Sequence, residues 1–237
     1  MAKKHELVKQ QGGELATSQY ARDYRMEGED SGDTIIPRVI LHQGDISEKY
    51  YGEHPKGTLL HSVTGEVIET RKFTPVGIAW KEWMKFGDKF GESIEYKTRN
   101  KSEVPPEDLN WNGDEPPAAS LFYNFVVMFD GMSEPICLSM KGSSKFQRSA
   151  ALALNQMEKI RASRKAVPGF YELEIVDREN DKGKWKDLKL RPVGNPPDEL
   201  AASAFECYKA LSVKNVEVHQ ESGGGEADTG YDPTKDE

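Results

Sequence analysis

The chain has 237 residues, of which 36% are hydrophobic, with a mean hydropathy of −0.72 and a formal net charge of −8. That length suits one large domain or two small ones, and so low an apolar content means that part of the chain lies outside any core. The longest apolar stretch, Leu121 to Phe129, is far too short to cross a bilayer as a helix.

The opening Met1-Ala-Lys-Lys-His5 has no apolar run behind it, so no signal peptide is expected. Two cysteines, Cys137 and Cys207, make no CxxC or repeated spacing. A disulfide framework or zinc site is therefore not expected, and a reducing cytoplasm is the default location. The charge is unevenly spread. Residues 217–237 hold seven acids against Lys235 alone, so residues 1–216 carry a net charge of only −2. Residues 1–34 and 213–237 are poor in large apolar side chains and read as a disordered N-terminal segment and a disordered acidic tail. The domain is expected over 35–212.

Ile35 to Leu41 reads as the first ordered strand. Thr58–Val63 and Glu66–Thr70 flank Thr64-Gly65, a hairpin or bulged-turn pattern. Phe73–Trp80 is β-prone but holds Pro75 and Gly77, which predicts an edge or bent strand. Residues 99–118, with Pro105, Pro106, Pro116 and Pro117, read as a long loop. Leu121–Phe129 is apolar nearly throughout, as for a strand covered on both faces, and Asp130-Gly131 turns it toward Pro135–Met140. Ser144 followed by Gln147 is a capping-box pair that opens a helix to about Arg164. Phe146, Ala150, Ala153, Met157 and Ile160 form its expected core stripe, and Pro168-Gly169 stops it.

Tyr171, Leu173 and Ile175 alternate with acids, Asn180–Gly183 is a turn, and Lys184–Leu190 returns as the partner strand. A short amphipathic helix follows through Ala204, Phe205, Tyr208 and Leu211. Strands dominate, and the long helix comes late rather than alternating with them, which disfavours a doubly wound parallel sheet. The fold class is thus β-rich α+β. In detail it reads as an OB-like small β-barrel with an inserted helix before the last hairpin, then a C-terminal helix and the acidic tail.

No P-loop, GxGxxG, GxSxG or HExxH pattern occurs, so no cofactor, resident metal or catalytic residue is assigned and the chain is not read as an enzyme. His42, His54 and His61 are irregularly spaced with no cysteine near them; they suggest a metal site less than they do scattered surface or strand histidines. Asp177 and Glu179 beside Lys182 and Lys184 suggest a magnesium-dependent nuclease, or a solvated acidic-basic hairpin. Binding chemistry is better represented. Single strands are held by aromatic faces that stack on bases and cations that follow phosphates. Trp80, Lys81, Trp83 and Lys85 fall in one short run with Phe86, and Lys184, Trp185, Lys186, Lys189 and Arg191 in another. Alternation places Trp185, Lys189 and Arg191 on one face. Residues 141–165 hold seven bases, Lys141 and Lys145 among them, against Glu158. The competing interpretation is that the tryptophans are core and the helix bases a solvated face.

Pro135-Ile-Cys-Leu-Ser-Met-Lys-Gly-Ser-Ser144, the Ala-rich helix after it, Phe170-Tyr-Glu-Leu-Glu-Ile175 and Asn180–Trp185 resemble phage-encoded single-stranded-DNA-binding proteins. Ile36–Gly44 and Thr64-Gly65-Glu66 are also similar to phage proteins, so the likeness spans about residues 35–191. It implies an OB-fold with a helix before the last hairpin, no enzymatic activity, and a role in phage DNA replication or recombination. Bases would stack on Trp80, Trp83, Tyr123 and Trp185, while Lys81, Lys85, Lys141, Lys145, Lys184, Lys186, Lys189 and Arg191 pair with phosphates. Single-stranded DNA is the implied partner, with replication or recombination proteins met through the acidic tail and no membrane. The rival expectations are a structural or adaptor protein of a virion or replication complex, and the nuclease.

Overall fold

The computed structural model describes residues 33–44, 51–87, 94–110, 117–180, 183–211 and 215–218. The expected disorder of residues 1–32 and of the tail beyond Val218 lies outside the described residues.

The fold is β-rich α+β, organised on one antiparallel sheet. Its strands are β4 (Lys72–Phe86), β6 (Ala119–Phe129), β7 (Ile136–Lys141), β8 (Phe170–Asn180) and β9 (Gly183–Gly194), in the order β7-β6-β4-β8-β9. A further strand, β5 (Ile94–Thr98), pairs with the far end of β4. The apolar run of β6 has the cause its sequence implied, since the sheet is covered on both faces. Tyr123, Phe125, Val127 and Phe129 enter one core with Phe73, Leu138, Met140, Tyr171, Leu173 and Leu188. Val126 and Met128 enter a second core with Val76, Cys137 and Phe170.

The run Phe73–Trp80 is not an edge. It is the first half of β4, the middle strand of the order. The bend expected from Pro75 and Gly77 is present as a register slip against β6 between Pro75 and Ala79, with Gly77 at φ 98 where a side chain would be strained. On its other side β4 meets β8 only at Lys72 and Phe73.

The first expected strand breaks at Pro37 into β1 (Asp33–Ile36) and β2 (Val39–Leu41). β2 pairs with β3 (Leu59–His61), and Thr64-Gly65 turns the chain back through a bridge between Leu60 and Val67. The second arm of that hairpin is this one bridge and not a strand. β1 pairs in parallel with β10 (Asn215–Val218), so a four-residue strand stands inside the stretch read as tail. The Pro-rich loop contains a 3₁₀ turn, Lys101–Glu103, and a short helix, α1 (Pro106–Leu109).

Helix α2 (Lys145–Ser163) starts at Ser144, whose hydroxyl accepts from the Gln147 N–H at 3.2 Å. Its buried side is Ala150, Ala151 and Leu154, while Ala153 is exposed and Ile160 is 41% exposed. Of the expected stripe Ala150 is buried and Met157 packs against the core, while Ala151 and Leu154 are buried in place of Ala153 and Ile160, because an Ala-rich helix offers two adjacent stripes of equal spacing. The helix ends before Pro168-Gly169. Ala166 N–H donates to the Arg161 carbonyl and Lys165 N–H to that of Ala162, with Lys165 left-handed at φ 53, which is a Schellman ending. Helix α3 (Asp198–Leu211) buries Leu200, Ala204 and Leu211 against β4 and β6, and turns Phe205 and Tyr208 outward.

Among the described residues no pairing joins β7 to β9, so the sheet does not close into a barrel. Other groups occupy the seam. The Pro37 carbonyl accepts from Cys137 N–H at the β7 edge, at 2.7 Å. The Gln43 side-chain amide donates to the Lys186 carbonyl and accepts from its N–H on β9, both at 2.9 Å. Helix α2 packs against both outer strands. Its Gln147 side chain accepts from Lys141 N–H at the end of β7 (2.8 Å) and donates to Asp187 on β9 (2.9 Å). Asp187 is 3% exposed and also accepts from the Ser144 hydroxyl at 2.8 Å and the Leu188 N–H at 2.9 Å. Removing that carboxylate strands several donors in a dry site. Asp187→Ala is expected to cost about 2–4 kcal/mol, read as a lower urea midpoint at unchanged m. Asp177→Ala, which removes a side chain 86% exposed, should cost less than about 1 kcal/mol.

Candidate nucleic-acid interface

Alternation along β4 divides the run Trp80–Phe86 between two faces. Trp80, Glu82 and Met84 stand opposite Asn124, Phe122 and Ser120, whereas Lys81, Trp83 and Lys85 stand opposite Tyr123, Leu121 and Ala119. The two tryptophans therefore do not form one platform.

On the inner row, Tyr123 is a core residue, 8% exposed, with the Lys81 ammonium 5.5 Å from its ring centre. Its expected stacking role is not open to it, because its faces are covered. Trp83 is half-buried. Lys85 is held by Glu95 at 3.0 Å and Asp108 at 3.5 Å, and the hydrogen bond to Glu95 leads the effects that raise its pKa.

On the outer row, Trp80 is half-buried against the second core and the Arg99 guanidinium lies 4.5 Å from its ring centre. Phe86, 44% exposed, meets Phe122 edge-on at 6.4 Å. Lys141 stands opposite Phe122 across β6 and β7, with its side chain exposed. Beneath this row Asn124 donates to buried Glu82 at 3.4 Å.

The β9 hairpin divides in the same way. Trp185, Lys189 and Arg191 share a row with Asp187, opposite Arg178, Glu174, Glu172 and Val176; Lys184 and Lys186 take the other row, opposite Glu179 and Asp177. Much of this positive charge is matched. Lys186 pairs with Asp177 at 2.6 Å, Lys184 with Glu179 at 3.5 Å, and Arg191 with Glu172 and with Glu174 at 3.2 Å. Lys189 instead lies over the Phe146 ring, 4.8 Å from its centre, and Arg178 lies 4.5 Å from the same ring. Lys145 and Arg148 are exposed on the same first turn of α2. The seven bases of 141–165 are thus not one patch. Arg161 is bound to the Val167 and Gly194 carbonyls and the Asn195 side chain, and Lys159, Arg164 and Lys165 lie toward the opposite end of α2.

The seam brings two of these groups together. Phe122 faces Lys141, and the backbone of Lys141 is bonded to Gln147 on the turn that carries Lys145 and Phe146. Phe146 in turn carries Lys189 and Arg178, and Arg178 stands opposite Trp185. Register and this backbone bond thus place in order Trp80 with Arg99 over its ring, Phe122, Lys141, Lys145, Phe146 with Arg178 and Lys189 over its ring, and Trp185. Phe122, Phe146, Arg99 and Arg178 were not among the candidate residues. Their alternation with core neighbours was visible in the sequence, but the pairing that orients them was not.

Asp177 and Glu179 are exposed cross-strand partners of lysines, and among the described residues no three metal-ligating side chains converge. His42 is fully buried, edge-on to His54 at 5.8 Å, and His61 accepts from Thr64 N–H at 3.2 Å. Among the described residues no helix is long and apolar enough to cross a membrane.

Tyr96 donates to Asp108 at 3.0 Å, and burial together with that carboxylate pushes its pKa from 10.0 up to about 12. Because the folded value is the higher one, its contribution to stability is full below pH 10 and is lost as the pH climbs to about 12. Phenolate absorbance is expected to show one tyrosine titrating near pH 12 that Asp108→Asn brings down. An unchanged curve in that variant would remove Asp108 from the cause.

No curated protein and no solved structure matches the chain. Residues 9–217 match the family model described as Pam3 phage gp34-like protein, a match over most of the sequence, and the chain belongs to that family.

Proposed function

We propose that this protein is a non-enzymatic binder of single-stranded DNA, which it holds along the outer-face track from Trp80 to Trp185. The observation that carries the proposal is the order in which strand register brings these aromatic and basic residues together. Aromatic faces alternate with cations across β4, β6, β7, the first turn of α2 and β9, the mixture that single strands require.

The connectivity supports the same reading. Three antiparallel strands, then a helix, then a final hairpin, with the first strand in the middle of the order, suits an OB-type barrel left partly open. In such folds the strands beside the opening and the hairpin loops are the binding surface, which here means β6, β7 and the β8–β9 hairpin. The family is named for a phage protein, and we infer that the strands bound are those exposed in phage DNA replication or recombination. The acidic residues beyond Val218 would meet replication or recombination proteins. The regrouped candidates are Trp80, Phe122, Lys141, Lys145, Phe146, Arg178, Trp185 and Lys189. Lys85, Lys184, Lys186 and Arg191, each matched by a carboxylate, take a lesser part.

The test is titration of the protein with oligo(dT) and with duplex of equal length at several salt concentrations. Each neutralised phosphate on a single strand contributes about −0.7 to the slope of log K on log salt, so a slope of about −2 to −4 is expected. Trp185→Ala should weaken binding by about 1–3 kcal/mol with its urea midpoint little changed, and Lys186→Ala should leave affinity nearly unaltered. Equal affinity for duplex, or a flat salt response, would sink the proposal and favour a structural role in a virion or replication complex.

A further inference from the structure

Away from the outer face, a cleft of about 360 Å³ opens where residues 55–59 and 67–71 lie over the inner row of the β8–β9 hairpin. Its apolar lining is Val67 and Ile175, with Leu59 and Ile68 buried in the core behind them. Its rim carries Lys56, Arg71 and Lys186, with Glu69 the one acid among the described lining residues. Lys186 is matched by Asp177. Lys56 and Arg71 are exposed, and among the described residues neither takes part in an ion pair.

The walls are fixed, which separates this cleft from an accidental surface dent. Gly57 donates to the His42 carbonyl at 2.8 Å, and His42 N–H donates to the Thr58 carbonyl at 2.9 Å. Gly57 adopts φ 95, and a Cβ on it would stand 3.1 Å from Ile175, so the turn lies against β8 with no room to spare. On the other wall, the Gln43 amide grips Lys186 through both its N–H and its carbonyl.

We propose that this cleft binds a nucleoside phosphate. Val67 and Ile175, the apolar lining side chains that are not buried, give a ring something to lie against, and Lys56 and Arg71 on the rim hold the phosphate, with Lys186 beside them. Cation–phosphate hydrogen bonds are among the strong ones, and an arginine fork matches phosphate geometry. The volume lies within the range of small-ligand sites, about 300–1,000 Å³. None of these residues belongs to the outer-face track, so the cleft stands whether or not that track binds DNA.

The experiment is calorimetric titration of the full chain with thymidine monophosphate and with thymidine. Saturable one-to-one binding of the monophosphate is expected, with thymidine weaker by about tenfold or more. Arg71→Ala and Lys56→Ala should each lose about tenfold in affinity for the monophosphate, while Phe122→Ala keeps it. Absence of saturable binding, equal binding of the two ligands, or unchanged affinity in Arg71→Ala would overturn the proposal. A comparison of 5′-phosphorylated with 5′-hydroxyl oligo(dT) then identifies the source of the phosphate. A preference for the phosphorylated strand that Arg71→Ala abolishes assigns the cleft to strand ends. Equal strand affinities, with monophosphate binding retained, assign it to free nucleotides.

Discussion

Asp187 lies at the seam where, among the described residues, no pairing joins β7 to β9. Its carboxylate accepts from Ser144, Gln147 and Leu188, and Gln147 reaches on to the backbone of Lys141. One chain of side-chain hydrogen bonds therefore spans from β7 to β9 through the first turn of α2. Two outer strands that would otherwise splay are fixed at one separation, and Gln43 and Pro37 secure the rest of the seam. A buried carboxylate with three donors is costly to assemble and costlier to break. The same turn of helix that closes the seam carries Lys145 and Phe146, so the geometry of the track is inherited from a stability device.

Charge is arranged as locally as the hydrogen bonds are. The acids of β8 stand opposite the bases of β9, so the strand that looks most basic in sequence is largely neutral at its surface. Exposed pairs of this kind add little stability, but they set which cations stay available. Lys145 and Arg148 remain exposed on α2, and Lys189 with Arg178 is turned onto an aromatic ring. A net charge near zero over the domain is thus compatible with a positive strip on one side.

What was legible in the sequence was local. The β8–β9 hairpin, the Ser144 cap and the doubly covered strand β6 follow from patterns a few residues long, and each occurs where its pattern lies. The length and central position of β4 did not show, because Pro75 and Gly77 argue against a middle strand unless a bulge absorbs them. The run Trp-Lys-Glu-Trp-Met-Lys-Phe could not be sorted into faces, since aromatic and charged groups fall on both parities and only the register with β6 separates them. That register also removed Tyr123 from the candidates and put Phe122 in its place. The acids of β8 were visible, but their pairing with Lys184, Lys186 and Arg191 needed the hairpin register. The β1–β10 pair, far apart in sequence, left no local mark.

That pair has a consequence for how the molecule is assembled. Asp33–Ile36 runs parallel to Asn215–Val218, so joining them closes a loop of nearly the whole domain. Loop-closure entropy grows with length, and contacts this distant in sequence form only after most of the chain is in place. The pair is therefore expected to form late in folding, with Ile36 of β1 then locked into the second core. Opening the ladder would release β1 and β10 together. Because the ladder is parallel, the chain enters β1 at one end of it and leaves β10 at the other.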